Sequence, residues 1–214
     1  MLFRSGHNLG NANPRFRAQL AQTRFNGAIV KGCNTTGTAT NAGFPEATFT
    51  WRVAQQLKPL LEKAGARVEM TRSTNSRDAW GPCVWTRAMM ANRLGADMML
   101  SIHADGASSG AHGFFAMRPT LIKGYTDDVV AKDRRLSRRM VAGMKAAGAP
   151  PSNYIGNQIM VSRDTTSLNL SNVPTVTIEM GNMRNAGDAA RMSSRAGQRQ
   201  YAQWLYAGIL RYFG

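Results

Sequence analysis

Helical and extended hydrophobic patterns alternate along the chain, which predicts an α/β fold: a single domain with a central mixed, mostly parallel sheet of about six strands and helices on both faces. Three observations carry this expectation. Apolar positions recur at helical spacing from Glu46 to Gly65, over "TRAMMANRLG" (86–95), over 126–148 and over 194–213. Short apolar runs, "DMMLSI" (97–102), "FFAM" (114–117), "NQIMVS" (157–162) and "VPTVTIEM" (173–180), fall between the helices. No repeat, low-complexity tract or linker interrupts the 214 residues, so the expected domain is 1–214.

The chain opens on "MLFRSG", read as the first strand. Residues 8–45 are rich in Gly, Asn, Thr and Ala with little periodicity and read as a long loop; such loops in compact domains often carry function. The helix from Glu46 lines up Phe49, Val53, Leu57, Leu60 and Leu61 and ends at Gly65, with Pro59 expected to kink it or shift its register. "ARVEMT" (66–71) alternates as a strand. Over 126–148, Val129, Leu136, Met140 and Met144 face inward, leaving Arg134, Arg135, Arg138 and Arg139 on a solvated basic face. The closing helix puts Trp204, Leu205, Gly208, Ile209 and Tyr212 on one side.

Lys plus Arg total 27 against 12 acids, a net charge of +15, and a field of that sign gathers polyanions. The partner is either nucleic acid or an anionic cell-surface polymer. The cations are spread along the chain and no nucleic-acid-binding motif accompanies them, which disfavours a specific nucleic-acid site; a generally cationic surface explains much of the charge without any ligand. No apolar run is long enough to span a membrane, and the first ten residues lack a leader pattern, so any leader is expected to lie outside this chain. Cys33 and Cys83 have no CxxC spacing. Paired, they would close a loop of about 50 residues, worth about 4 kcal/mol, and would fit an oxidising compartment. Two buried free thiols are the alternative.

In open α/β sheets, ligands collect beyond the carboxyl ends of the strands, where His7, His103 and Glu179 are expected. Two imidazoles and a carboxylate, with one position left to water, suit a catalytic zinc ion, which lowers the pKa of that water to about 7. The chemistry would be hydrolysis. A histidine at a strand end also serves as an ordinary loop residue bonded to backbone. Glu179, flanked by Ile178 and Met180, is costly to bury without a cation or a catalytic role. Glu46 reads as a favourable first-turn acid.

Six blocks appear in order: "GHNLG" (6–10), "PE" (45–46), "MTR" (70–72), "TRAMMAN" (86–92), "LSIHAD" (100–105) and "VPTVTIEMGNMRN" (173–185). By them the chain resembles the zinc-dependent N-acetylmuramoyl-L-alanine amidases over nearly its whole length, most closely the stand-alone secreted mycobacterial type without a wall-binding module. The resemblance implies one Zn²⁺ held by His7, Glu46 and His103, with Glu179 as general base. It implies cleavage of the amide between the lactyl group of N-acetylmuramic acid and L-alanine, in peptidoglycan fragments or muropeptides. It further implies a secreted, periplasmic or cell-wall setting and weak attraction to anionic wall polymers, with no specific nucleic acid and no membrane span. A monomer is the default.

The chain also departs from the family pattern. "FRSGHNLG" lacks the acid that usually precedes Gly-His, so what orients His7 differs. "HAD" replaces the usual "HAN", leaving Asp105 as a surface acid or a partner of His103. The long 8–45 loop, with Cys33, is expected to wall the cleft. His112 is expected to contact substrate, or to be a fallback ligand if strands three and four are antiparallel neighbours. Little room remains between His103 and Glu179 for an inhibitory helix, so an open site is expected. A zinc peptidase cutting within the stem peptide, and a catalytically dead binding protein, are the competing readings.

Overall fold

A computed structural model of the chain describes residues 1–214, the side chains of residues 2–4 excepted. In chain order the elements are β1 (Leu2–Ser5), α1 (Arg17–Leu20), β2 (Thr23–Phe25), β3 (Val30–Gly32), α2 (Glu46–Lys63), β4 (Glu69–Met70), α3 (Val84–Leu94) and β5 (Met99–Asp105). There follow β6 (Phe115–Pro119), α4 (Val130–Ala146), β7 (Ile159–Ser162), α5 (Thr166–Asn169), β8 (Thr175–Asn182), α6 (Ala186–Ser193) and α7 (Arg195–Phe213). Six strands form one sheet in the order β4-β1-β5-β8-β6-β7; every neighbouring pair is parallel except β6–β8. β2 and β3 make a separate antiparallel hairpin.

Strand alternation decides which face each side chain serves. Met98, just before β5, Leu100, Ile102 and Ala104 on β5, and Val176, Ile178 and Met180 on β8 pack into the main core with α2, α4 and α7. Each such large side chain contributes about 1.5–3 kcal/mol on burial. Met99 points the other way, into a smaller cluster with Ala88 and Ala91 of α3. The alternate positions Ser101, His103, Thr177 and Glu179 therefore share the second face, and His103 and Glu179 are register partners across β5–β8.

Several elements differ from expectation. The 8–45 segment is not a bare loop: it holds 3-10 turns, α1 and the β2–β3 hairpin. Those strands are three residues each with mostly exposed side chains, so no hydrophobic period announces them. Asn26, fully buried at the hairpin turn, accepts from the Ala28 and Ile29 amides and donates to the Asp164 carbonyl and Thr166 Oγ1, which pins the hairpin to the body. α2 runs through Pro59 without a break. Pro59 is exposed, so the carbonyl it leaves without a helical partner faces the solvent side. "ARVEMT" pairs only through Glu69 and Met70 at the sheet edge. β5 and β6 are not neighbours; β8 lies between them, which removes the antiparallel pairing invoked for His112.

Cys33 and Cys83 form a disulfide, closing a 50-residue separation. It ties the end of the hairpin to the N-cap of α3. The Cys33→Ser/Cys83→Ser double variant is expected to lose about 4 kcal/mol of unfolding free energy, measured by urea titration, and to match reduced wild type.

Asp133, in the first turn of α4, is fully buried and accepts from the Thr175 amide at 2.7 Å. Burial pushes its carboxyl up to about 7 from an ordinary 3.8, against the pull of the Thr175 hydrogen bond. Its folded-state value lies above its unfolded one, so its contribution to stability is complete below about pH 4 and is lost as pH rises through about 7. Asp133→Asn keeps the acceptor without the charge. Melting curves should show the variant more stable than wild type at pH 8 and the difference vanishing near pH 4.

Candidate metal centre and cleft

β1 ends at Ser5, and the chain turns at Gly6–His7 with His7 in the left-handed region at φ 52°, a conformation that a non-glycine residue adopts only when its surroundings impose it. Those surroundings are visible. Arg87 of α3, fully buried, donates to the carbonyls of Ser5 (2.8 Å), His7 (3.1 Å) and Pro82 (2.8 Å). Arg72 donates to Ser5 Oγ and to the Ala47 carbonyl, so one guanidinium joins the end of β1 to the start of α2. Its face lies 4.8 Å from the Trp51 ring, and burial lowers its pKa to about 10. Gly6 is required: a Cβ there would meet the His103 ring at 2.6 Å.

These contacts aim three donors at one point. His7 Nε2 lies 3.3 Å from Glu46 Oε2, and His103 Nδ1 lies 2.9 Å from Glu46 Oε1. The three residues offer ligand atoms all within 4.8 Å of one another. The edge of a tetrahedral site with bonds of about 2.05 Å is about 3.3 Å, so the His7–Glu46 spacing suits a single ion. The two imidazole rings stand nearly perpendicular at 86°, centroids 5.0 Å apart. His7 Nδ1 is 2.9 Å from the Thr35 carbonyl; a proton held on Nδ1 there would leave Nε2 available to a metal ion.

Glu46 has 3% of its side chain exposed. Burial alone would raise its pKa, but the His7 charge and the hydrogen bonds with His103 and His7 hold it well below the ordinary carboxylate range. Thr38 N and Ala104 N also donate to it, at 3.0 and 3.2 Å. An ionised, nearly buried carboxylate between two imidazoles is the chemistry of a cation site. The His-Glu-His group could hold a metal. Segment 35–38 closes over it, and Gly37, at φ 78°, leaves no room for a side chain: a Cβ would lie 2.7 Å from Glu46 Oε2 and His7 Cδ2.

Beside His7 opens a cleft of about 290 Å³. Lys31, Gly32, Asn34 and Thr35 form one wall and residues 164–167 the other, with Lys31 Nζ and Asp164 Oδ2 paired at 3.2 Å between them. The Cys33 segment thus walls the cleft. His7 and His103 keep 15% and 12% of their side chains exposed, as an accessible site requires. Glu179, on β8, is the register partner of His103 on one side and of Phe115 on the other, so it shares a sheet face with His103.

Asp105 accepts from Gly106 N at 2.7 Å and from the Tyr154 hydroxyl at 2.8 Å, so it is a partly buried anchor of the 150–158 loop rather than a free surface acid. Tyr154 packs edge-on against Phe115, and burial, then the Asp105 hydrogen bond, then the charges of Asp105, Glu179 and Asp188 raise its pKa. His112 is exposed, with its backbone amide on Asn153 Oδ1, and stands outside the His-Glu-His group. Residue-by-residue reading had missed Arg72, Arg87, Thr35, Gly37 and Tyr154. For the two arginines the only signal was their place in the blocks "MTR" and "TRAMMAN".

The N-acetylmuramoyl-L-alanine amidase family matches residues 6–211. An N-acetylmuramoyl-L-alanine amidase of Mycobacterium tuberculosis is 37% identical over 183 residues, covering 84% of this chain and 73% of its own length. The apo crystal structure of the amidase Ami1 from Mycobacterium abscessus superposes with a TM-score of 0.90 at 35% identity, covering 100% of this chain and 97% of that one. Ami1 from Mycobacterium smegmatis does so at 33% identity, also with a TM-score of 0.90, covering 100% and 95%. The chain belongs to the N-acetylmuramoyl-L-alanine amidase family, whose reaction is amide hydrolysis in peptidoglycan. Its disulfide fits an extracellular or cell-wall location. Among the described residues, no helix is long and apolar enough to cross a membrane.

Proposed function

We propose that this chain is a secreted, zinc-dependent peptidoglycan hydrolase, its residues 1–214 forming one catalytic domain, that cuts the amide between the lactyl group of N-acetylmuramic acid and L-alanine. The observation that carries the reading is the buried, ionised Glu46 between His7 Nε2 and His103 Nδ1, with Glu179 opposite His103 on the neighbouring strand. His7, Glu46 and His103 would hold the ion, and their two imidazoles and one carboxylate suit zinc among the common divalent metals. A zinc ion bound there supplies a Lewis acid for the scissile carbonyl and an acidified water.

The chain's own groups do the rest. The Glu179 carboxylate takes a proton from the attacking water and returns it to the leaving nitrogen of L-alanine, so one group serves as base and then as acid. Thr35, through its carbonyl, keeps the His7 proton on Nδ1 and Nε2 free to bind. The wall at Lys31–Thr35 and the loop at 164–167 hold the muramyl-peptide against the floor. Asp105 acts through Tyr154, holding the 150–158 loop at the rim, and His112, exposed nearby, is placed for substrate contact.

The test is incubation of purified protein with muramyl dipeptide, with and without a chelator, and mass spectrometry of the products. Chelator-sensitive release of L-alanyl-isoglutamine is expected. Products that keep L-alanine on the muramyl group would make the chain a peptidase of the stem, and inertness toward muramyl dipeptide and larger muropeptides alike would make it a binding protein.

A further inference from the structure

The basic face of α4 is not a uniform solvated surface. A groove of about 570 Å³ runs between α4 and the edge strand β7, lined by Arg118, Arg138 and Lys145, with the amides of Asn157 and Gln158 on its far side. Val141, Ile159 and Val161 give it an apolar floor. A second groove, about 330 Å³, is lined by Arg134, Arg135, Arg139 and Arg211 and shares Arg138 and Ala142 with the first. Neither is lined by a carboxylate, and none of these cations takes part in an ion pair among the described residues. The one acid in the first turn of α4, Asp133, is fully buried beneath them. The cations are crowded enough that Arg134 and Arg138 add to burial in lowering the Arg118 pKa, against the opposing pull of Asp133. Like charges gathered in two connected clefts, with no carboxylate lining them and only the buried Asp133 opposing, are a standing cost to the free protein, which a polyanion would relieve.

We propose that this double groove binds an anionic wall polymer: a linear chain carrying one phosphodiester per short polyol repeat. The choice of polymer rests on the peptidoglycan-hydrolase reading, while the site rests on its own geometry. All but one of the cations are arginines, whose planar forks bind phosphate oxygens two at a time. Arg134 and Arg138, and likewise Arg135 and Arg139, are one helical turn apart, about 6 Å along the axis, so a thin chain lying along α4 meets a cation at each turn. No aromatic side chain lines either groove, so a nucleic-acid strand would find nothing on which to stack its bases. No lining residue is shared with the cleft beside His7, so polymer and muramyl-peptide can be held together.

The test uses the full chain with poly(glycerol phosphate) as probe and duplex DNA of matched charge as control, by titration calorimetry across a salt series. Arg134→Gln/Arg138→Gln/Arg139→Gln is expected to weaken polymer binding about ten-fold or more and to flatten the log K against log salt slope by about two. The corresponding Lys triple variant should keep most of the affinity, and muramyl dipeptide turnover should be unchanged in both. Cell walls stripped of phosphodiester polymer should retain less of the wild-type protein than untreated walls. The proposal is overturned if the Gln variant binds as wild type does, if stripped walls retain the protein equally, or if matched DNA binds as tightly with the same loss on substitution. Absence of turnover of muramyl dipeptide and of larger muropeptides alike in wild type, with polymer binding intact, would sink the hydrolase reading and leave the groove standing.

Discussion

Glu179→Gln is expected to lower turnover of muramyl dipeptide by about 10²–10⁴-fold while leaving bound zinc near that of wild type. Two facts of placement separate Glu179 from the metal-capable group. It lies on β8, one strand over from His103, and the clustered ligand atoms belong to His7, Glu46 and His103 alone among the described residues. A glutamine fills the same space at that strand position but cannot accept the proton of the attacking water. The readouts are metal content by mass spectrometry and kcat for release of L-alanyl-isoglutamine. Loss of zinc in parallel with activity would move Glu179 into the ligand set and leave the chain without an assigned base.

How much of this was legible beforehand depends on what kind of signal each residue gives. β5, β8, α2, α4 and α7 announced themselves because burial on one side imposes a period of 2 or 3.6 on the sequence. His103 and Glu179 were legible because they interrupt apolar strands, and the alternation that sends Ile102 and Ile178 into the core sends them to the opposite face. Glu46 was not legible from pattern: a glutamate opening a helix is the commonest of first-turn acids, and only resemblance raised it. The 8–45 region was legible as a long connection and nothing more. Its order comes from the Asn26 hydrogen bonds, the disulfide and the Lys31–Asp164 pair, contacts across 50 to more than 130 positions that leave no periodic trace. Strand order failed for a related reason: β6 leaves β5 after a short connection, yet β8, arriving later, takes the place beside β5. Nothing in the local sequence states that the pairing is filled from a distance.

The second large effect is expected at Glu46. Glu46→Gln should abolish both zinc retention and turnover, although the side chain touches neither face of the open cleft. The carboxylate is held ionised by the His7 charge and the two histidine hydrogen bonds in spite of burial, and it also accepts from Thr38 N and Ala104 N. An amide can satisfy the two backbone donors with its oxygen, but it brings no charge, and its NH₂ turns a donor toward a histidine nitrogen. The fold should survive, since α2 carries no side-chain cap that the substitution could remove and the main core is untouched. Far-ultraviolet circular dichroism and the melting point of metal-free protein measure that survival. A folded, zinc-free, inactive Glu46→Gln protein places Glu46 among the ligands. If zinc stays bound and only turnover falls, Glu46 instead orients His7 and His103 from behind, and the third ligand must be sought on the cleft face, with Glu179 as its first candidate.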